Sequence, residues 1–119
     1  MKEVLKYSNC FVCGDKNHHG LKARFFFDGR QAVTEIIAGD EFEGYRGIFH
    51  GGIISSLLDE VMIKAILADE IYAVTAEMTI RYVAPARTGD HIKFTGWVTE
   101  RRGKLFITEG QAVGENGQL

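Results

Sequence analysis

The sequence predicts an α+β domain in which a curved antiparallel sheet wraps around one long helix. Residues 51–68 carry apolar side chains at helical spacing, whereas the segments before and after them alternate apolar and polar residues. The connections after the helix are short, so we expect the later strands to form an antiparallel meander. With 119 residues and no internal repeat, the chain has the usual size of one domain, covering residues 1–119.

The composition of the chain excludes several classes of protein. Hydrophobic residues make up 45% and charged residues 25%, which is typical of a globular protein. The formal net charge is −2, so the basic excess of a nucleic-acid-binding protein is missing. No apolar run reaches the roughly 18 residues of a membrane span, and charged residues occupy the start of the chain, where a signal peptide is apolar. We therefore expect a cytoplasmic protein that binds neither nucleic acid nor membranes.

The N-terminal segment, residues 1–20, is expected to be a loop with turns at Gly14 and Gly20. Cys10 and Cys13 have the C-x-x-C spacing of half a zinc site. Because the usual second pair of spaced ligands is absent, the sequence favours small buried residues or reduced thiols, with no metal site and no cofactor.

Two strands are predicted before the helix. In residues 21–27 the apolar side chains on one face are Leu21, Ala23, Phe25 and Phe27. Asp28-Gly29 then makes a hairpin turn, and residues 31–38 supply the partner strand. A loop rich in glycine and acidic residues covers residues 39–47 and leads to the helix.

Three strands are predicted after the helix. Residues 74–82 show the most regular alternation, with an apolar face made of Val74, Ala76, Met78, Ile80 and Tyr82. Residues 91–100 and 104–113 form the next two strands around a hairpin. Asn116-Gly117 is a further hairpin signal, but only two residues follow it, so we expect the final strand to be missing after Gly117.

The segment GYRGIFHGGIISSLLDE, residues 44–60, places candidate catalytic groups where a loop meets the helix. The first N–H groups of a helix have no partner within it, so the amides of Gly51 and Gly52 are suited to a developing oxyanion. Asp59 lies about two turns further along, on a polar stripe, where a carboxylate suggests a base or a nucleophile. His50 is placed to orient a carbonyl or a water molecule. The glycine pair also fits a purely geometric role, and Asp59 also fits an ordinary exposed helix face.

Three motifs, in this order along the chain, resemble those of the hotdog-fold thioesterases of the phenylacetate-type (PaaI-like) group. The resemblance rests on CFVCG with the later Gly20-Leu21, on HGGIISSLLDE, and on VTAEMTIRYVAPARTGD. It implies that two subunits join their sheets edge to edge as a homodimer, that dimers often pair into tetramers, and that active sites form from both chains. The implied substrate is an acyl-coenzyme A.

The resemblance also assigns roles to individual residues. Asp59 takes the position of the catalytic carboxylate, nine residues after His50, and would activate water or attack the thioester carbonyl itself. The N–H of Gly51 or Gly52 would hold the carbonyl oxygen, with His50 near that carbonyl. Thr75 matches a hydroxyl residue that helps to orient water from the neighbouring subunit.

Other residues are predicted to bind the substrate. Gly44 departs from the family pattern, since several relatives have an asparagine six residues before the histidine, and the carbonyl therefore lacks one side-chain donor. Phe49 is one of the side chains whose packing sets the depth of an acyl pocket. The phosphates of coenzyme A require cationic side chains, and the candidates lie in turns: Arg87, Arg101, Arg102 and Lys104.

Together these features predict an acyl-coenzyme A thioesterase that releases coenzyme A and a carboxylic acid. Two alternatives remain open. A non-catalytic acyl-coenzyme A sensor or scaffold on the same fold is favoured by Gly44 and opposed by Asp59. A hydratase or dehydratase acting on an enoyl-coenzyme A also uses this fold, with motif spacing that fits less well.

Overall fold

The computed structural model describes all 119 residues. It contains a six-stranded antiparallel sheet with its strands in chain order and one long helix inserted between the third and fourth strands. The elements are β1 (Lys2–Glu3), β2 (Phe26–Phe27), β3 (Gln31–Ile37), a 3-10 turn (Asp40–Phe42), α1 (Gly51–Leu67), β4 (His91–Arg102), β5 (Leu105–Gly114) and β6 (Gly117–Gln118). The predicted α+β class is confirmed, and α1 is too short and too polar to cross a membrane.

Helix α1 packs across the middle of the sheet, over β3, β4 and β5. Its buried apolar residues are Ile54, Leu57, Leu58, Val61, Ala65 and Ile66. The helix comes closest to β4 at Gly96, where a Cβ atom would lie 2.8 Å from the carbonyl oxygen of Val61. The backbone of the helix cannot move aside for an added Cβ, so only glycine allows the helix to lie this close to the strand.

The N-terminal segment changes the pairing of the first predicted strand. Only Phe26 and Phe27 pair with β3. Ala23 and Phe25 are buried as predicted, but Ala23 N–H donates to Val12 O and Phe25 O accepts from Val4 N–H, each at 2.8 Å. The backbone of this stretch is therefore bonded to the N-terminal loop, which shortens its part in the sheet.

The strand predicted over residues 74–82 is wrong for the single chain. This segment, which we call the strap (residues 74–83), belongs to no strand and makes no backbone hydrogen bond. A groove of about 290 Å³ lies between its residues 79–81 and residues 108–112 of β5. The side chain of Val74 is 92% exposed. A strand requires a partner for its backbone groups, and no strand of the same chain reaches the strap.

The hairpin predicted at Asn116-Gly117 forms, and Gly117 has a φ of +116°. The return strand β6 has two residues, which pair with Val113 and Gly114. A short strand thus follows the turn at the position where the sequence analysis expected none.

Lys64 lies on α1 and is buried, with 1% exposure. Its ammonium donates to the carbonyl oxygen of Leu5 and lies 3.6 Å from Oε2 of Glu60. The ring of Phe25 lies 5.7 Å from the same nitrogen. Burial of an ammonium is costly unless it is paired, and these partners fasten the N-terminal segment to α1.

We expect Gly96→Ala to lower the free energy of unfolding by about 1–3 kcal/mol, because the added Cβ meets the backbone of the helix. Urea denaturation measures this loss. The matched control is Gly110→Ala, whose Cβ would meet the flexible side chain of Met62 at 3.1 Å and Thr95 O at the same distance. A loss at Gly110 as large as that at Gly96 would contradict the assignment of Gly96 as the closest helix contact.

Candidate active site

His50 is the N-cap of α1. Its Nδ1 accepts a hydrogen bond from the backbone N–H of Gly52 at 2.8 Å. The Gly52 amide, one of the two predicted oxyanion donors, is therefore already occupied. Because Nδ1 acts as an acceptor, the neutral imidazole carries its proton on Nε2 and can donate it outward.

The Gly51 amide is the free donor at this end of the helix. It is the first amide of α1, so it has no partner within the helix, and no loop carbonyl accepts from it. Two clefts meet at Gly51. One of about 530 Å³ is lined by residues 43–45 and 48–51, and one of about 310 Å³ is lined by Ile48, Phe49, Gly51, Ile54 and residues 82–86. A carbonyl oxygen entering either cleft reaches an unpaired N–H in the positive field of a helix N-terminus.

Asp59 and Thr75 come together within one chain. The Thr75 hydroxyl donates to Oδ1 of Asp59 at 2.5 Å, and both groups remain open to solvent on one side. The strap thus contacts the carboxylate of Asp59 through Thr75. One oxygen of the carboxylate is fixed by Thr75 and the other is available to a water molecule.

The two halves of the candidate site are far apart in a single chain. Asp59 follows Gly51 by eight residues on the same helix, a separation of about 12 Å along the helix axis. A water molecule attacking a carbonyl must touch the base while the carbonyl oxygen touches its donor, so both groups need to lie within about 3 Å of the reacting atoms. One chain therefore carries two half-sites.

The structure places the predicted substrate-binding residues in two regions. Gly44 lies against His50, and a Cβ there would be 3.4 Å from imidazole Cδ2. Phe49 is 2% exposed and forms the floor of both clefts. Arg87 forms an isolated antiparallel β-bridge with Ile48, beside the loop that contains Gly44.

The cationic residues of the β4–β5 hairpin lie elsewhere. Arg101 contacts the ring of Phe106 at 4.7 Å, and Arg102 pairs with Glu100 at 2.8 Å. The end of β4 that carries them is about 33 Å from its start at His91, the end nearest to the Gly51 loop. The chain therefore brings Arg87, but not Arg101, Arg102 or Lys104, near its own Gly51.

Two residues of the site were missed by the sequence analysis. The hydroxyls of Ser55 and Tyr82 contact each other, and both oxygens lie within hydrogen-bond distance of the carbonyl oxygen of Gly51. Ser55 lies one helical turn after Gly51, which is a weak signal for such a contact. The sequence placed Tyr82 on the apolar face of a predicted strand and did not indicate its contact with Gly51.

A larger groove and a polar cluster lie outside this site. The groove, of about 710 Å³, runs beneath the N-terminal loop and contains only Phe49 among the predicted residues. The cluster consists of the sulfurs of Cys10 and Cys13 and a carboxylate oxygen of Glu60, all within 4.8 Å of one another. The Lys64 ammonium lies 3.5 Å from Cys13 Sγ, so a cation would compete with a positive charge already present.

The fold and the half-sites together define a class of protein. A family model for the thioesterase superfamily matches residues 46–119. The chain belongs to this superfamily. Human acyl-coenzyme A thioesterase 13 is 30% identical over 80 residues, which cover 66% of this chain and 57% of the human protein. An uncharacterised protein of Schizosaccharomyces pombe is 29% identical over 91 residues, 75% of this chain and 52% of that protein. The chain thus spans little more than half the length of these relatives.

Solved structures confirm the predicted hotdog fold. A crystal structure of a thioesterase superfamily protein superposes with a TM-score of 0.83 at 22% identity, covering 94% of this chain and 56% of that one. The PaaI protein of Escherichia coli, from the phenylacetic acid degradation operon, gives 0.69 at 22%, covering 73% and 63%. A hypothetical thioesterase of Streptococcus pneumoniae, crystallised with coenzyme A, gives 0.70 at 17%, covering 74% and 71%.

Burial raises the pKa of the Cys13 thiol from 9.0 to about 11. Below pH 9 the thiol is protonated in both the folded and the unfolded state. Between pH 9 and 11 only the unfolded state ionises, so we expect stability to fall by on the order of 2 kcal/mol. Urea midpoints at pH 8.5 and 10.5 measure this, and Cys13→Ala should remove that part of the pH dependence. An unchanged pH dependence in the variant would show that the thiol is not the group responsible.

Proposed function

We propose that the protein hydrolyses acyl-coenzyme A thioesters to coenzyme A and a carboxylic acid. The proposal rests on two groups of the same helix. One is a free N-terminal amide at Gly51, and the other is a carboxylate at Asp59 whose orientation is fixed by Thr75. Hydrolysis of a thioester requires one group that accepts a proton from water and one that stabilises an oxyanion. Family membership and the name of the human relative support the same activity.

The groups of the two half-sites suit the steps of hydrolysis. Asp59 takes a proton from a water molecule as the water oxygen bonds to the thioester carbon, and Thr75 holds the carboxylate in place. The negative charge that develops on the carbonyl oxygen is stabilised by the Gly51 N–H and the helix dipole, with the Nε2–H of His50 beside it. The carbon–sulfur bond then breaks, and the proton passes from Asp59 to the departing sulfur. Water has then been added across the thioester.

A second copy of the chain completes each site in this proposal. Because one helix holds Gly51 and Asp59 about 12 Å apart, the carboxylate of one copy must meet the amide of another. Exposed apolar side chains beside the strap and β5 provide a surface for this pairing: Tyr72, Val74, Val83, Leu105 and Ile107. We propose a homodimer, and pairing of dimers into tetramers stays a prediction.

The coenzyme A portion is proposed to enter past Arg87. This residue lies beside Ile48 at the edge of the clefts that meet at Gly51, where a guanidinium can pair with a phosphate. The coenzyme A in the pneumococcal structure supports this class of ligand. Arg101, Arg102 and Lys104 can contribute only if the partner brings their hairpin toward the site.

A non-catalytic acyl-coenzyme A sensor is the second candidate, and Gly44 favours it. A glycine beside His50 supplies no side-chain donor to the carbonyl. Weaker stabilisation of the oxyanion slows hydrolysis without preventing binding. The two candidates separate on turnover, because a sensor binds acyl-coenzyme A and releases no thiol.

We expect Asp59→Asn to lower the rate of hydrolysis by about 100-fold or more, since the amide cannot accept the proton from water. The measurement is release of free coenzyme A thiol from a panel of acyl-coenzyme A substrates. Asp69→Asn is the matched control, because Asp69 is exposed just beyond α1 and makes no side-chain contact. Full turnover by the Asp59 variant would disprove this mechanism. A wild-type protein that binds the panel without releasing thiol would support the sensor instead.

The role of the Gly51 amide is tested by a pair of substitutions. Proline at this position removes the N–H and adds a ring, and it fits the backbone because Gly51 is the first helical residue and His50 has a ψ of 128°. We expect Gly51→Pro to lower kcat by about 100-fold. Gly51→Ala keeps the N–H, and its Cβ would make an ordinary contact with Tyr82 at 3.5 Å. Equal losses in the two variants would indicate a steric cause.

Mixing the two inactive variants tests whether the site is shared between copies. When Gly51→Pro and Asp59→Asn subunits are refolded together at equal amounts, half of the dimers are mixed and each holds one intact site. We therefore expect recovery of about a quarter of the wild-type activity. Each variant refolded alone is the control. No recovery, in a preparation shown to contain mixed dimers, would place both groups of a site in one chain.

A further inference from the structure

The carbonyl group of Gly51 has more hydrogen-bond donors than a helix requires. The hydroxyl of Tyr82 donates to it at 3.0 Å, and the hydroxyl oxygen of Ser55 lies 3.1 Å from it. These two hydroxyls also contact each other. A carbonyl in the first turn already accepts from the amide one turn later, so the hydroxyls add bonds at a point where the helix itself leaves no polar group unsatisfied.

Both peptide groups that flank Gly51 are held in place. On the N-terminal side, the carbonyl of His50 accepts from the N–H groups of Ile53 and Ile54 at 3.0 and 3.2 Å. On the C-terminal side, the peptide is held by the two hydroxyls at its oxygen and by His50 Nδ1 at the N–H of Gly52. Glycine has the greatest backbone freedom of any residue, and the first turn of a helix frays readily. These bonds restrict the direction of the one unpaired N–H, that of Gly51.

The ring of Tyr82 closes the remaining side. An added Cβ at Gly51 would lie 3.5 Å from Cε1 of this ring. The ring also lines the cleft of about 310 Å³ that leads to Gly51. Tyr82 is 53% exposed, so burial in the core does not explain the position of its hydroxyl.

We infer that Tyr82, acting with Ser55, is a positioning residue for the oxyanion donor. Its hydroxyl holds the Gly51 carbonyl, and this fixes the direction in which the Gly51 N–H points toward the thioester oxygen. The inference rests on the proposed function, because it assigns Tyr82 to the oxyanion half of that site. A donor that is fixed before the substrate arrives needs no reorganisation as charge develops.

The experiment compares Tyr82→Phe and Ser55→Ala with the wild type in thioester hydrolysis. Tyr82→Phe keeps the ring and removes only the hydroxyl. We expect kcat to fall about 10-fold while KM stays within about 2-fold, because the lost bond orients a group that acts on the transition state. The double variant should lose little more than the worse single variant, since both hydroxyls act on one carbonyl. Tyr7→Phe is the control, because Tyr7 is exposed, its hydroxyl makes no hydrogen bond and it lies outside the proposed site and dimer surface.

A spectroscopic measurement tests the hydrogen bond without any substrate. In protein labelled with carbon-13, the carbonyl resonance of Gly51 should shift in Tyr82→Phe and remain in place in Tyr7→Phe. An active wild type whose Tyr82→Phe variant keeps full kcat overturns this inference alone. An unshifted Gly51 carbonyl also overturns it, whatever the kinetics. A wild-type protein that hydrolyses no thioester overturns the proposed function and this assignment together.

Discussion

The rigid separation of Gly51 and Asp59 along one helix is the constraint on which the rest of the site depends. Hydrogen bonds between successive turns hold the free amide and the carboxylate about 12 Å apart, and no rotation of side chains closes that distance. Close contact between the backbone of α1 and Gly96 of β4 fixes the helix against the sheet. In the proposed mechanism, a single chain supplies the parts of a hydrolytic site but does not assemble them. Pairing of two chains is then a chemical requirement of that proposal as well as a means of covering apolar surface.

The strap illustrates what can be predicted from alternation and what cannot. Its period of two predicts an extended strand, and the structure of the single chain assigns none there. Alternation does not say whether a neighbour is present to accept the hydrogen bonds, and in the single chain none is. By contrast, β3, α1, β4 and β5 could be predicted to within a few residues, because each is long and packs against elements of the same chain.

The sequence identified the residues of the candidate site but not the contacts among them. His50, Gly51 and Asp59 stand out because their spacing relative to the helix start is local information. The distinction between the Gly51 and Gly52 amides required the coordinates, since it depends on the rotamer of His50. The burial of Lys64 was equally inaccessible, because its partners Leu5 and Cys13 are distant in sequence. The hairpin arginines were chosen for charge alone, which carries no information about position.

The strap also has a consequence for communication between sites. One end of it touches Asp59 through Thr75, and the other end touches Gly51 through Tyr82. In a pair of chains with shared sites, those two ends serve different catalytic centres. In the proposed dimer, a displacement of the strap on binding of one acyl group would reach the empty centre, and the two centres would then not act independently. Non-hyperbolic kinetics or half-of-the-sites occupancy would follow from a single unpaired stretch of ten residues.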